Sequence, residues 1–118
     1  MEKIFIAGSI SIKKLDESVT KRIDKMMDQG YEIILGDADG IDKAVQNYLN
    51  IQTYSKVTIY HSGTIVRNNL GNWSTKSIAT NYKFGTRDFF FFFYVALAND
   101  ADIGVMLLDN KSSGTLKN

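Results

Sequence analysis

Short apolar runs alternate with longer amphipathic stretches along this chain, and most runs stop at small or polar residues. Lys3-Ile4-Phe5-Ile6-Ala7, Tyr31-Glu32-Ile33-Ile34-Leu35 and residues 56–60 are strand-length and β-prone, and 102–108 reads as a fully buried strand. Between them apolar residues recur at helical spacing. Leu15, Val19, Ile23, Met26 and Met27 predict a helix over 16–29, with Asp16 as its cap and Gly30 as its stop. Ile41, Ala44, Val45, Tyr48 and Leu49 share one face of a second helix over 41–50, and 86–99 reads as a third. Residues 61–84 are polar, Asn-rich and without period, so a long loop, or a loop with one short helix, is expected there. Loops of that length inside a compact domain tend to be functional.

Strands and helices in that order imply right-handed crossovers and a parallel sheet. The expected fold class is α/β: a Rossmann-like three-layer sandwich whose sheet is mostly parallel, at least four strands wide, and ordered 3-2-1-4. In such a sheet the carboxyl ends of the strands lie along one edge, and ligands bind there. Three strands end in small-residue loops: Gly8-Ser9-Ile10-Ser11-Ile12, Gly36-Asp37-Ala38-Asp39-Gly40 and Asn110-Lys111-Ser112-Ser113-Gly114-Thr115. The order 3-2-1-4 sets the first and last of these on either side of the switch point, with the second beside them. Glycine and hydroxyl residues leave backbone N–H groups exposed, and a helix beginning after such a loop turns its positive end toward an anion. The expected ligand is therefore a small phosphate-bearing molecule of nucleotide type. Candidate contacts are Gly8, Ser9, Ser11, Asp37, Gly40, Ser112, Ser113, Gly114 and Thr115.

The loop residues divide by role. Asp39 and Asp42 have capping-box spacing, which leaves Asp37 the freest to accept from a ribose hydroxyl or a base; the alternative is that all three acids only cap and solvate a helix start. Ser112-Ser113-Gly114-Thr115 carries no acid and would cradle a phosphate without a lysine, although the same four residues also read simply as a loop. Trp73 either stacks on a base or anchors the long loop on the core. Arg87 either clamps a phosphate or pairs with Asp88, and Arg67 carries the same two readings. Tyr60 and His61 end the third strand, at the sheet edge in this order, and His61 reads as a surface residue.

Composition narrows the classes. The chain has 118 residues, enough for one domain over 1–118 with one core. A net charge of +1 with interleaved signs gives no footprint for nucleic acid. The lack of cysteine excludes a disulfide scaffold and a thiolate metal site, and a single histidine cannot build a His-rich one. No leader and no membrane-length apolar stretch is read, so a soluble, cytoplasmic protein without metal or cofactor is expected.

Together, residues 6–11, 30–46, Arg67-Asn68-Asn69-Leu70-Gly71-Asn72-Trp73, 99–104 and 109–118 resemble the SLOG superfamily, specifically the small bacterial and phage members related to the YpsA group. The resemblance covers nearly the whole chain. It implies a Rossmannoid domain that recognises nucleotides or nucleotide-derived signals, ADP-ribose-like molecules among them. Some relatives hydrolyse N-glycosidic bonds, and others only sense ligands. Two departures point away from catalysis. Where the proteins it resembles carry a Lys-Asp pair, this chain has Phe93 and Tyr94; where hydrolytic relatives carry a glutamate three residues after a Gly-Thr, it has Asn118. An amide cannot ionise to stabilise an oxocarbenium-like transition state. No catalytic residue is assigned.

Phe89-Phe90-Phe91-Phe92-Phe93-Tyr94 makes the third helix apolar all round, which a solvent-facing helix cannot be. A homodimer or higher homo-oligomer through that helix is the expectation. The sequence stops at Asn118 as a further helix should start, so either the usual last helix and strand are missing or a partner covers that edge. The expected function is non-catalytic binding of a nucleotide-type signal, as sensor, carrier or sponge. The alternatives are an N-glycosidase or deoxyribosyltransferase-like enzyme, using Asp37, Asp39 or Asp42 as nucleophile or base, and a structural oligomer with an empty pocket.

Overall fold

The computed structural model describes residues 2–8 and 12–107. Its strands are β1 (Lys3–Gly8), β2 (Glu32–Gly36), β3 (Val57–Ser62), β4 (Ser74–Ile78) and β5 (Ile103–Leu107). They form one all-parallel sheet in the order β4-β3-β2-β1-β5. Among the described residues three helices accompany them: α1 (Glu17–Asp28), α2 (Ile41–Ile51) and α3 (Arg87–Asp100). The fold is an α/β, Rossmann-like sandwich. The four expected strands keep their expected relative order, and β4 is an addition outside the third.

The central strands are buried on both faces, which is why they read as unbroken apolar runs rather than alternating ones. Ile4, Ile6, Ile33, Leu35, Val57 and Ile59 pack under α1 and α2. Phe5, Ala7, Ile34 and Tyr60 pack under Phe89, Phe93 and Leu97 of α3. The caps follow the sequence. Asp16 accepts from the Val19 amide at 3.1 Å at the start of α1, and Thr86 accepts from Phe89 at 3.2 Å at the start of α3.

Three expectations are corrected. The segment 61–84 is not all loop, because β4 lies within it. Ser74-Thr75-Lys76-Ser77-Ile78 shows no apolar alternation; its first four residues are exposed and main-chain pairing to β3 holds it. β3 is accordingly not an edge strand, and His61 is buried opposite Ser77 rather than on the surface. β5, expected to be fully buried, is the outer strand of the sheet among the described residues, with Ile103 and Met106 exposed and Leu107 its one buried residue. Between β3 and β4, residues 63–73 make the parallel return without a helix. Val66 and Trp73 of this segment pack against the α1–α2 core.

Candidate functional site

Parallel pairing brings the carboxyl ends of β1, β2 and β5 together at one edge. Gly8 is in register with Leu107, and β2 ends beside them at Gly36 and Asp37. A Cβ on Gly8 would fall onto the Leu107 carbonyl oxygen and lie 3.1 Å from the Ile41 side chain, so only glycine lets α2 and β5 close in on β1. The candidates Ser9, Ser11, Ser112, Ser113, Gly114 and Thr115 lie outside the described residues. What the structure brings together is therefore Gly8, Asp37 and Gly40, with the start of α2.

The three acids have other roles than the spacing suggested. Asp37 is the least available of them: it is 2% exposed, and both carboxylate oxygens accept from Arg67. The Arg67 backbone N–H and Nη2 each donate at 2.8 Å. Its expected freedom to take a ribose hydroxyl is thus removed by a residue thirty positions later. Asp39 does not cap α2. Gly40 is the N-cap, at φ 82 and ψ −131, a conformation that L side chains rarely adopt. Asp39 is exposed and accepts from Asn68 at 3.0 Å, which holds its carboxyl below the usual range, with Lys43, Lys13 and Arg67 adding to the effect. Asp42 reaches back to accept from the Ala38 N–H at 3.1 Å. Burial pushes its carboxyl up to about 7, with the Asp37 charge acting in the same direction and the Ala38 bond opposing. In neutral form Asp42 does not repel an anion at the helix start.

Gln46 locks the return segment onto this edge. It is fully buried, donates to the carbonyls of Gly36 and Asn68 at 3.2 and 3.1 Å, and accepts from the Leu70 amide at 2.9 Å. Asn68 also donates to the Asp37 carbonyl at 2.8 Å. The 66–70 segment is therefore fastened to the loop after β2 by side chains from both partners.

Two recesses adjoin this seam. One, of about 450 Å³, is lined by Lys13, Asp39, Gly40, Lys43, Asn47 and Leu70 at the start of α2. The other, of about 690 Å³, lies over the carboxyl ends of β3 and β4, with Arg67, Tyr82, Phe84 and Phe89 among its walls. Arg67 stands over the Phe84 ring at 5.0 Å.

Two candidates are placed elsewhere or differently. Trp73 precedes β4 at the opposite, amino-terminal edge, where its indole N–H donates to the Tyr54 carbonyl at 2.8 Å; it anchors the loop and does not meet Gly8 or Asp37. Arg87 is exposed in the first turn of α3; among the described residues the ion pairs are Lys21–Glu17, Arg67–Asp37 and Lys76–Asp100, so Arg87 and Asp88 do not form one. Phe93 is buried on the sheet, and half-buried Tyr94 has its hydroxyl pushed up by burial, with Asp42 adding to it.

Sequence reasoning missed Lys13, Lys43, Asn68 and Gln46. For Gln46 a signal existed: Asp42 and Gln46 are four apart beside the apolar stripe of α2, a polar pair on a buried face. Among the described residues no group of three or more His, Cys, Asp or Glu is placed to hold a metal ion, and no helix is long and apolar enough to cross a membrane. Comparisons with protein-family models, curated proteins and solved structures gave no match to this chain.

Proposed function

We propose that the carboxyl edge of the sheet binds a nucleotide or nucleotide-derived molecule of ADP-ribose type without turning it over, as sensor, carrier or sponge. The observation that carries this reading is the meeting of the β1, β2 and β5 carboxyl ends around Gly8, the edge at which parallel sheets of this kind take ligands. The start of α2 lies beside it, with Lys13 and Lys43 lining the adjoining recess; a helix start with nearby ammonium groups favours phosphate. The acids support binding over turnover. Asp37 is committed to Arg67, Asp42 is buried against Ala38, and Asp39 is engaged by Asn68.

Thermal shift with a panel of nucleotides and NAD-derived compounds, read beside an assay for released base, tests this. A shift with no released base is the expected result. Released base would assign an N-glycosidase, with one of the three acids as nucleophile or base, and neither signal would leave a structural role. The same reading sets a second copy of the chain against the outer side of α3, where Phe91 is 72% exposed and Phe90, Phe92 and Val95 are partly so. Like faces on two copies make a self-complementary contact. Light scattering at micromolar concentration should give a dimer or larger, and a monomer would remove this part of the proposal.

A further inference from the structure

The larger recess, over β3 and β4, is not needed for the phosphate end, and its chemistry differs. Ser62 and Ile78, register partners at the strand ends, line it, as do Ser77 and Gly63, whose hydroxyl and carbonyl are bonded at 3.0 Å with Ser77 donating. Its walls include Tyr82 and Phe84, which are 50% and 53% exposed. Phe84 is already engaged by Arg67 and Phe89, each at 5.0 Å, so beside this recess of about 690 Å³ the half-open Tyr82 ring offers the face on which a flat ring can stack. Arg67 is the cation in that wall, but one of its guanidinium N–H groups and its charge are already matched by Asp37. What remains is a set of in-plane donors with little net charge behind them. Such a wall suits the acceptor edge of a neutral heterocycle better than a phosphate.

From these observations we infer that the recess is a ring-binding subsite: it takes the heteroaromatic base of the ligand, stacked on Tyr82, with Arg67, held over the Phe84 ring at 5.0 Å, donating to the acceptor edge of the base. The inference rests on the nucleotide reading and deepens it. The Lys13–Lys43 recess lies on the α2 side of the sheet and this one on the α3 side, so the ligand would cross the carboxyl edge between them, past Arg67. Arg67 bridges the two halves, because the Asp37 carboxylate that fixes it belongs to the loop after β2.

Calorimetric titration of the wild-type protein, Phe84→Ala and Tyr82→Ala with ADP-ribose, adenosine and ribose 5-phosphate tests the assignment. Both rings are half exposed, so each variant should fold, and its thermal unfolding is recorded alongside. At least one variant should weaken ADP-ribose and adenosine by roughly five- to a hundredfold, the range of one base–aromatic stack, and leave ribose 5-phosphate within about twofold. If both variants bind ADP-ribose like the wild type, the nucleotide reading stands and the recess is not the base subsite. If the wild type binds none of the three probes, the nucleotide reading falls and takes this assignment with it.

Discussion

At the scale of single residues, the buried polar groups of the edge carry the strongest expectations. Asp42 is protonated up to about pH 7 in the folded chain, while an unfolded aspartate ionises near pH 4. Between those values the folded state holds the extra proton, so stability falls as pH rises from about 4 to about 7 and is level above. Asp42→Asn keeps an oxygen to accept from Ala38 and removes the titration. Relative to wild type the variant should gain stability from pH 4 to pH 8, by about 4 kcal/mol at most, as read from urea unfolding at each pH. Parallel profiles would show that Asp42 titrates normally. Gln46→Leu keeps the volume of a fully buried side chain but strands two carbonyls and one amide, Gly36, Asn68 and Leu70. A loss of about 1–3 kcal/mol in urea unfolding is expected, because the buried Gly36 carbonyl is left unmatched while the half-buried Asn68 and exposed Leu70 groups can turn to water.

At the scale of elements, what was legible in the sequence followed from burial. β1, β2, β3 and helices α1 and α2 lie in or against the centre of the sheet, so burial on both faces or on one stripe wrote itself into the residues. β4 was illegible because only its last residue, Ile78, packs against the core and the other four serve main-chain pairing, and Lys76 on an outer strand also guards that edge against further pairing. The same omission misplaced His61. Within the site, the Gly8 and Gly40 positions were legible as small-residue turns. The partner of Asp37 was not, since nothing local in the 61–70 segment tells that Arg67 returns to β2. The five-Phe run was legible as a helix but not in its division of labour. Phe89 and Phe93 are buried on the sheet at 3% and 8%, while Phe91 is 72% exposed. Phe93→Ala should therefore cost about 3–5 kcal/mol, and Phe91→Ala less than about 0.5 kcal/mol when measured on dilute protein. Equal losses would mean that the helix is turned differently on the sheet.

At the scale of the whole molecule, a net charge of +1 gives no long-range pull on an anion, so attraction must come from local charges at the edge. Lys13 and Lys43 are exposed and flank Asp39, whereas Arg67 is largely neutralised by buried Asp37. Exposed ammonium groups are screened by salt, and a stacked, uncharged ring is not. The two halves of the proposed ligand should therefore answer to ionic strength differently. Raising salt from about 0.05 to about 0.5 M shortens the screening length from about 14 Å to about 4 Å, and ribose 5-phosphate and ADP-ribose should both weaken several-fold. Adenosine, uncharged, should hold its affinity across the same range. A Lys13→Gln, Lys43→Gln double variant should start at the high-salt affinity for ADP-ribose and respond little to further salt, while its adenosine binding stays as in wild type. If adenosine proves as salt-sensitive as ADP-ribose, or the double variant keeps the wild-type salt response, then the charge that meets the ligand lies elsewhere on the molecule, and the start of α2 is not where its phosphate rests.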